Sequence, residues 1–178
     1  YKEKYKNLLN QLNISNQLSK STGYDLVTMP INKSIFKKKI NFIGITEYLG
    51  KINKTSTAML MYGDKFSVLP LTTHINLKNV YKVLDKKKLK KQLNDIIYFI
   101  NLKKYNLSYK SIKFLCYNPH CSEDNTIGME DSLISKVIKN NFKNISGPYA
   151  ADSAFKIVQK NTLFIFTYHD QALIPFKI

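Results

Sequence analysis

Three histidines, His74, His120 and His169, each follow closely on a stretch whose composition reads as a β-strand. Imidazole is a common nitrogen ligand for divalent cations and titrates near neutrality, so the chemistry on offer is metal binding or proton transfer. A lone histidine is more often structural. Three at one kind of position differ, because neighbouring strand ends converge on one edge of a sheet. There they can hold an ion and leave positions open for a substrate. The spacing is not that of a zinc finger. Thr73, Asn118 and Asp170 are polar neighbours able to orient a metal-bound imidazole. Cys116 and Cys121 flank the Asn118-Pro119-His120 segment. At so low a cysteine density they read as reduced thiols rather than a disulfide scaffold.

The elements that must position these side chains follow from periodicity. Tyr5, Leu8, Leu9, Leu12 and Leu18 fall near helical spacing and predict a helix over the first twenty residues. Gly23 ends it, and Tyr24 to Thr28 reads as a short buried strand stopped by Pro30. Ala58 to Tyr62 and Phe66 to Leu71, separated by Gly63-Asp64-Lys65, predict a hairpin that delivers His74. Leu89, Leu93, Ile96, Ile97 and Ile100 form an amphipathic helical stripe, with Lys87, Lys88, Lys90 and Lys91 on its solvated face. Ser111 to Tyr117 is a strand leading to His120, Leu133 to Ile138 mark a further helix, and Leu163 to Thr167 is a strand leading to His169. Strands alternating with helices predict an α/β fold, a mixed, mostly parallel sheet flanked by helices.

Composition narrows the function classes. The formal net charge is +16, which invites a nucleic-acid reading. Every basic residue is lysine, however, and arginine, the residue suited to bidentate base and phosphate contacts, is absent. The excess reads as compositional drift, and no nucleic-acid partner is assigned. No apolar run approaches a membrane span and no signal-peptide core is present, so the expected setting is the cytoplasm, without membrane. The chain begins at Tyr1 rather than Met and stops after an apolar run, as a piece of something longer would.

Five ordered strings carry a resemblance: DLVTMPINK (Asp25 to Lys33), LTTHINLKNV (Leu71 to Val80), NPHCSE (Asn118 to Glu123), GPYAADSAF (Gly147 to Phe155) and YHDQALIPFK (Tyr168 to Lys177). Together they resemble the successive signature segments of the 4-hydroxythreonine-4-phosphate dehydrogenase family. The resemblance implies a fold like that of isocitrate and isopropylmalate dehydrogenases. Residues 1–178 would be the central metal- and substrate-binding portion, with the family's N-terminal and C-terminal segments absent. It implies NAD or NADP, one divalent metal ion (zinc, cobalt or magnesium), a small phosphorylated hydroxy-amino-acid substrate and a homodimer sharing its active site. The implied reaction oxidises 4-phosphohydroxy-L-threonine and decarboxylates it to 3-amino-2-oxopropyl phosphate, in vitamin B6 biosynthesis.

Carried across residue by residue, His74, His120 and His169 match the family's metal ligands. Thr46, in the segment Phe42 to Glu47, matches a substrate-binding threonine, and Lys177 a substrate-binding lysine. Asp152 matches an acidic residue near the substrate, reached from a partner subunit, and Lys33 a lysine placed to face phosphate or carboxylate. Catalytic acid–base residues and cofactor-binding residues stay unassigned. Three segments depart from the family's pattern: Ile45 replaces a substrate-binding histidine, Cys121-Ser122 replaces the alanine and glycine of the usual HAGE string, and Ala172 replaces the glycine of HDQG. Losing glycine restricts any backbone that requires positive φ. The departures keep two alternatives open: a sister enzyme acting on threonate or erythronate 4-phosphate, and a non-catalytic remnant that binds metal or phosphate only.

Overall fold

The computed structural model describes residues 4–37, 39–156 and 158–178. The chain divides into two units, Tyr1–Thr57 and Ala58–Ile178.

The first unit is helical. Helix α1 (Lys4–Thr22) covers the expected span and buries Leu12. Gly23 ends it at φ +75°, donating its N–H to the Ser19 carbonyl at 2.9 Å. That left-handed position is one glycine takes without steric cost. Helix α2 (Ile45–Asn53) lies beside α1, where Tyr48 Oη donates to Asn13 Oδ1 at 2.8 Å. Asn16 and Asn53 exchange amide hydrogen bonds at 3.1 and 2.9 Å. Phe36 stacks on Phe42 with ring centres 4.1 Å apart and is 1% exposed. The strand expected over Tyr24 to Thr28 is irregular chain instead. Its apolar side chains face outward, Tyr24 at 77% and Val27 at 89% exposure. Among the described residues no strand pairs with it, and an extended segment without a ladder cannot be a strand.

The second unit is a four-stranded, wholly parallel sheet in the order β1-β4-β2-β3. The strands are β1 (Phe66–Pro70), β2 (Ser111–Leu115), β3 (Ile145–Tyr149) and β4 (Thr162–Phe166). Residue alternation sends side chains to two cores. Leu163, Ile165, Ile112 and Phe114 meet Leu89, Leu93 and Ile96 of α3 (Lys86–Ile100) and Ile134 and Val137 of α4 (Glu130–Asn141). Phe164, Phe166 and Leu115 pack on the other side against Ala172 and Leu173 of α5 (His169–Lys177). Buried on both faces, β4 is apolar at four of five positions, as a central parallel strand must be.

Helix α3 follows its stripe and starts at Asp85, whose carboxylate accepts from the Lys87 and Lys88 N–H groups. The expected hairpin shrinks to one antiparallel bridge, Met61 with Val68, at 2.9 and 3.0 Å, because the ladder of β1 runs with β4 instead. Strand β3 escaped the periodicity: its Gly147 and Pro148 argue against a strand interior, yet are tolerated at an edge of the sheet. Among the described residues no helix is long and apolar enough to cross a membrane.

Candidate functional site

All four strands point the same way, so their C-terminal ends form one rim, the place where open α/β sheets bind ligands. His74 follows β1, His169 follows β4, His120 follows β2 and Asp152 follows β3. In space the order along the rim is therefore His74, His169, His120, Asp152, on neighbouring strands.

The first two are brought together by stitching between their strands. Beyond β1, Leu71 N–H donates to the Phe166 carbonyl at 2.7 Å, and the Thr72 N–H and hydroxyl both reach the Thr167 carbonyl, at 3.2 and 2.7 Å. The His74 and His169 rings consequently lie 5.7 Å apart, centre to centre, at 42°. With metal–nitrogen bonds of about 2.0–2.1 Å, two imidazoles on one ion stand roughly 5 Å apart, so this pair fits a shared cation. His169 opens α5, and its Nδ1 lies 2.8 Å from Asp170 Oδ1. A carboxylate there leaves Nε2 as the nitrogen available for a ligand. Beneath the rim, Thr167 Oγ1 and Gln171 Oε1 are buried without a hydrogen-bond partner, two oxygen acceptors suited to a coordinated water.

His120 is held differently. Its Nδ1 lies 3.8 Å from Asp152 Oδ2, and both side chains are more than half exposed. Among the described residues no three His, Cys, Asp or Glu side chains converge into one ion-binding group, so the structure does not bring His120 to the other two histidines. The donor set fits a divalent cation in kind, and two of its three members fit in spacing.

The loop carrying His120 is unusual. Residues 120–125 all have positive φ, between 41° and 72°. For residues other than glycine each such position costs about 1 kcal/mol or more. Cys121 at φ 54° and Ser122 at φ 68° are two of them, so the backbone here does demand what glycine supplies freely. Ala172 does not share that demand, since it lies inside α5 and is fully buried. The reduced-thiol reading needs correcting as well: Cys116 and Cys121 form a disulfide, their Cα atoms 5.1 Å apart. The turn after β2 brings the two residues face to face, which sequence spacing alone does not reveal.

Of the residues expected to bind substrate, Asp152 sits on the rim and is exposed, while Lys177 ends α5. Eight residues of helix at about 1.5 Å each place Lys177 roughly 12 Å along the axis from His169. Thr46 and Lys33 belong to the first unit, Thr46 exposed in the opening turn of α2 beside half-buried Ile45, and Lys33 exposed at the start of a 3-10 turn, Lys33–Phe36.

Two rim residues escaped sequence reasoning. Asp131, in the first turn of α4, is 3% exposed and accepts from Tyr117 N–H, Asn118 N–H and Ser122 Oγ. Gln171 donates from Nε2 to the Cys116 carbonyl at 2.8 Å, tying α5 to the exit of β2. Their signal is faint, because an acid in a first helical turn ordinarily serves the helix dipole. A dinucleotide finds no comparable fit: the six glycines are dispersed, no two separated by a single residue, so no glycine-rich phosphate loop is present.

Comparison with known proteins agrees with this architecture. The family model of the pyridoxal phosphate biosynthetic protein PdxA matches residues 6–178. The 4-hydroxythreonine-4-phosphate dehydrogenase of Hydrogenobaculum sp. (strain Y04AAS1) is 38% identical over 156 residues, 86% of this chain and 49% of that protein. Its counterpart in Aquifex aeolicus (strain VF5) is 36% identical over 162 residues, 87% of this chain and 50% of that one. The chain thus spans about half the length of the curated relatives it matches. The crystal structure of the enzyme from Klebsiella pneumoniae superposes with a TM-score of 0.74 at 23% identity, over 93% of this chain and 53% of that one, and supports the fold. With the family model matched over nearly its entire length, the chain belongs to the PdxA family of pyridoxal phosphate biosynthetic proteins.

Proposed function

We propose that this chain is the metal- and substrate-binding portion of an NAD(P)-dependent dehydrogenase that oxidises 4-phosphohydroxy-L-threonine and decarboxylates the product. The observation that carries the reading is the rim: three histidines after three neighbouring parallel strands, in a chain matched to the PdxA family over residues 6–178.

His74 and His169 would hold the cation, with Asp170 steadying the His169 ring through Nδ1 and leaving Nε2 available. His120, beside Asp152 on the same rim, would be the third ligand. A divalent ion bound there would supply Lewis acidity toward the substrate's hydroxyl and the carbonyl formed from it. Asp152, exposed on the same rim, would accept from a cationic or hydroxyl group of the substrate. Lys177, Thr46 and Lys33 keep the substrate-binding roles that the family resemblance gives them. A nicotinamide dinucleotide, when bound, would supply the hydride acceptor. A homodimer with a shared active site and a cytoplasmic setting complete the reading.

Ile45 favours a second reading, an enzyme for threonate or erythronate 4-phosphate. An isoleucine cannot donate the charge-assisted hydrogen bond that a histidine gives to a phosphate, worth about 1.5–3 kcal/mol.

The test uses the full-length protein. Co²⁺ titration followed by its d–d absorption should give one site per chain, weakened at least about tenfold by His74→Ala, His120→Ala or His169→Ala. Turnover of 4-phosphohydroxy-L-threonine with NAD should then follow metal occupancy. Co²⁺ binding indifferent to all three substitutions sinks the metal assignment. Turnover confined to the threonate phosphate, with Ile45→His restoring the amino-acid substrate, supports the second reading.

A further inference from the structure

The loop between β2 and α4 holds six successive residues in left-handed backbone, and something must keep it there. Asp131 is placed to do so. Its carboxylate is almost fully buried, and a buried carboxylate persists only if its oxygens are satisfied. Three donors satisfy them: Tyr117 N–H at 2.7 Å, Asn118 N–H at 3.0 Å and Ser122 Oγ at 2.7 Å. These donors lie on both sides of His120 in the chain, so one side chain closes the loop around that histidine. Asn118 reinforces the closure, its Nδ2 donating to Ser122 Oγ and to Glu130 Oε2, both at 2.9 Å. Gly128 leaves the space this needs, since a Cβ there would stand 2.8 Å from Asn118 Nδ2. Behind the carboxylate, α4 is anchored in the core by Ile134, Val137 and Ile138. An acid serving only the helix dipole would face solvent. This one faces the loop.

We propose that Asp131 is a positioning residue that fixes the 117–122 backbone and so holds the base from which the His120 side chain can reach the cation site at the rim. The inference deepens the metal reading above and rests on it. Rigid helix, buried carboxylate, loop and imidazole form a continuous mechanical chain, in which metal affinity depends on a residue that never touches the metal.

The experiment compares Asp131→Ala and Asp131→Asn with Val137→Ala in the full-length protein. Val137 lies on the same helix but faces only the core, so its variant controls for lost stability. Two readouts are taken: Co²⁺ affinity, and amide hydrogen exchange at Tyr117 and Asn118 relative to β4 amides. The expected result is Co²⁺ affinity lowered by about 10–100-fold in the Asp131 variants, with exchange at the two loop amides accelerated selectively. Val137→Ala should change neither relative to the core. Should Asp131→Ala fail to fold, Asp131→Asn and Ser122→Ala remove fewer of the three bonds and report the same ordering. Wild-type affinity in folded Asp131 variants, or loop exchange that merely tracks the core, overturns the proposal. A wild-type protein that binds no Co²⁺ sinks the metal reading itself, while the exchange data still decide whether Asp131 holds the loop.

Discussion

Tyr117 shows how a rim residue responds to its surroundings. Burial pushes its phenol above the ordinary tyrosine value of 10.0, helped by the nearby negative charge of Glu130, by Tyr168 and by Asp131 and Tyr81. A folded-state pKa raised above the unfolded one means that the folded protein holds the proton more tightly. The associated stability is complete below about pH 10 and is lost as pH rises through the folded pKa. Thermal unfolding between pH 9 and 11 should therefore show a falling midpoint, and Tyr117→Phe should fall less steeply. Equal slopes would mean that this phenol stays in contact with water. At this scale the histidines were legible because their signal is local: a rare residue type, three times at strand ends. Asp131 and Gln171 were not, because their partners are backbone groups that only the fold brings near.

Between residues and the whole chain, legibility followed how far each element depends on distant ones. Helices α1, α3 and α4 were readable because an amphipathic stripe is written within a few turns, as Leu89, Leu93, Ile96 and Ile100 illustrate. Strands β1, β2 and β4 were readable as apolar blocks. Strand β3 was hidden by Gly147 and Pro148, and α5 by its shortness and by Pro175. Tyr24 to Thr28 looked like a strand from composition, but composition carries no information about a pairing partner. The loop after β2 is the clearest failure, since only its folded path joins Cys116 to Cys121. Closing so short a ring contributes about 2 kcal/mol by chain entropy. For a chain of this size a phosphine reductant should lower Tm by roughly 4–8 °C. An unchanged Tm, with two thiols found by mass after alkylation without reductant, would mean that the pair is open in solution.

For the molecule as a whole, the α/β class, the mostly parallel sheet and the family were all legible, since they need only the order of elements and five strings. The division into units at Thr57 was not, because no composition break marks it. An all-parallel sheet also has a direction, which an antiparallel one lacks. Within the second unit the three histidines and Asp152 lie where strands finish, and the rim where they begin carries turns such as Lys143-Asn144 before β3 and Asn161 before β4. Five residues per strand separate the rims by about 16 Å, beyond the range over which substitutions usually couple. That makes the starting rim a mounting point for reporters. A cysteine installed by Lys143→Cys and coupled to a fluorophore should leave Co²⁺ affinity within about twofold of wild type. The same label at Asp124, in the left-handed loop, should not. Direction in the sheet thus separates a face that can be instrumented from a face that must be left alone, and a binding assay on this protein can be built on the first to observe the second.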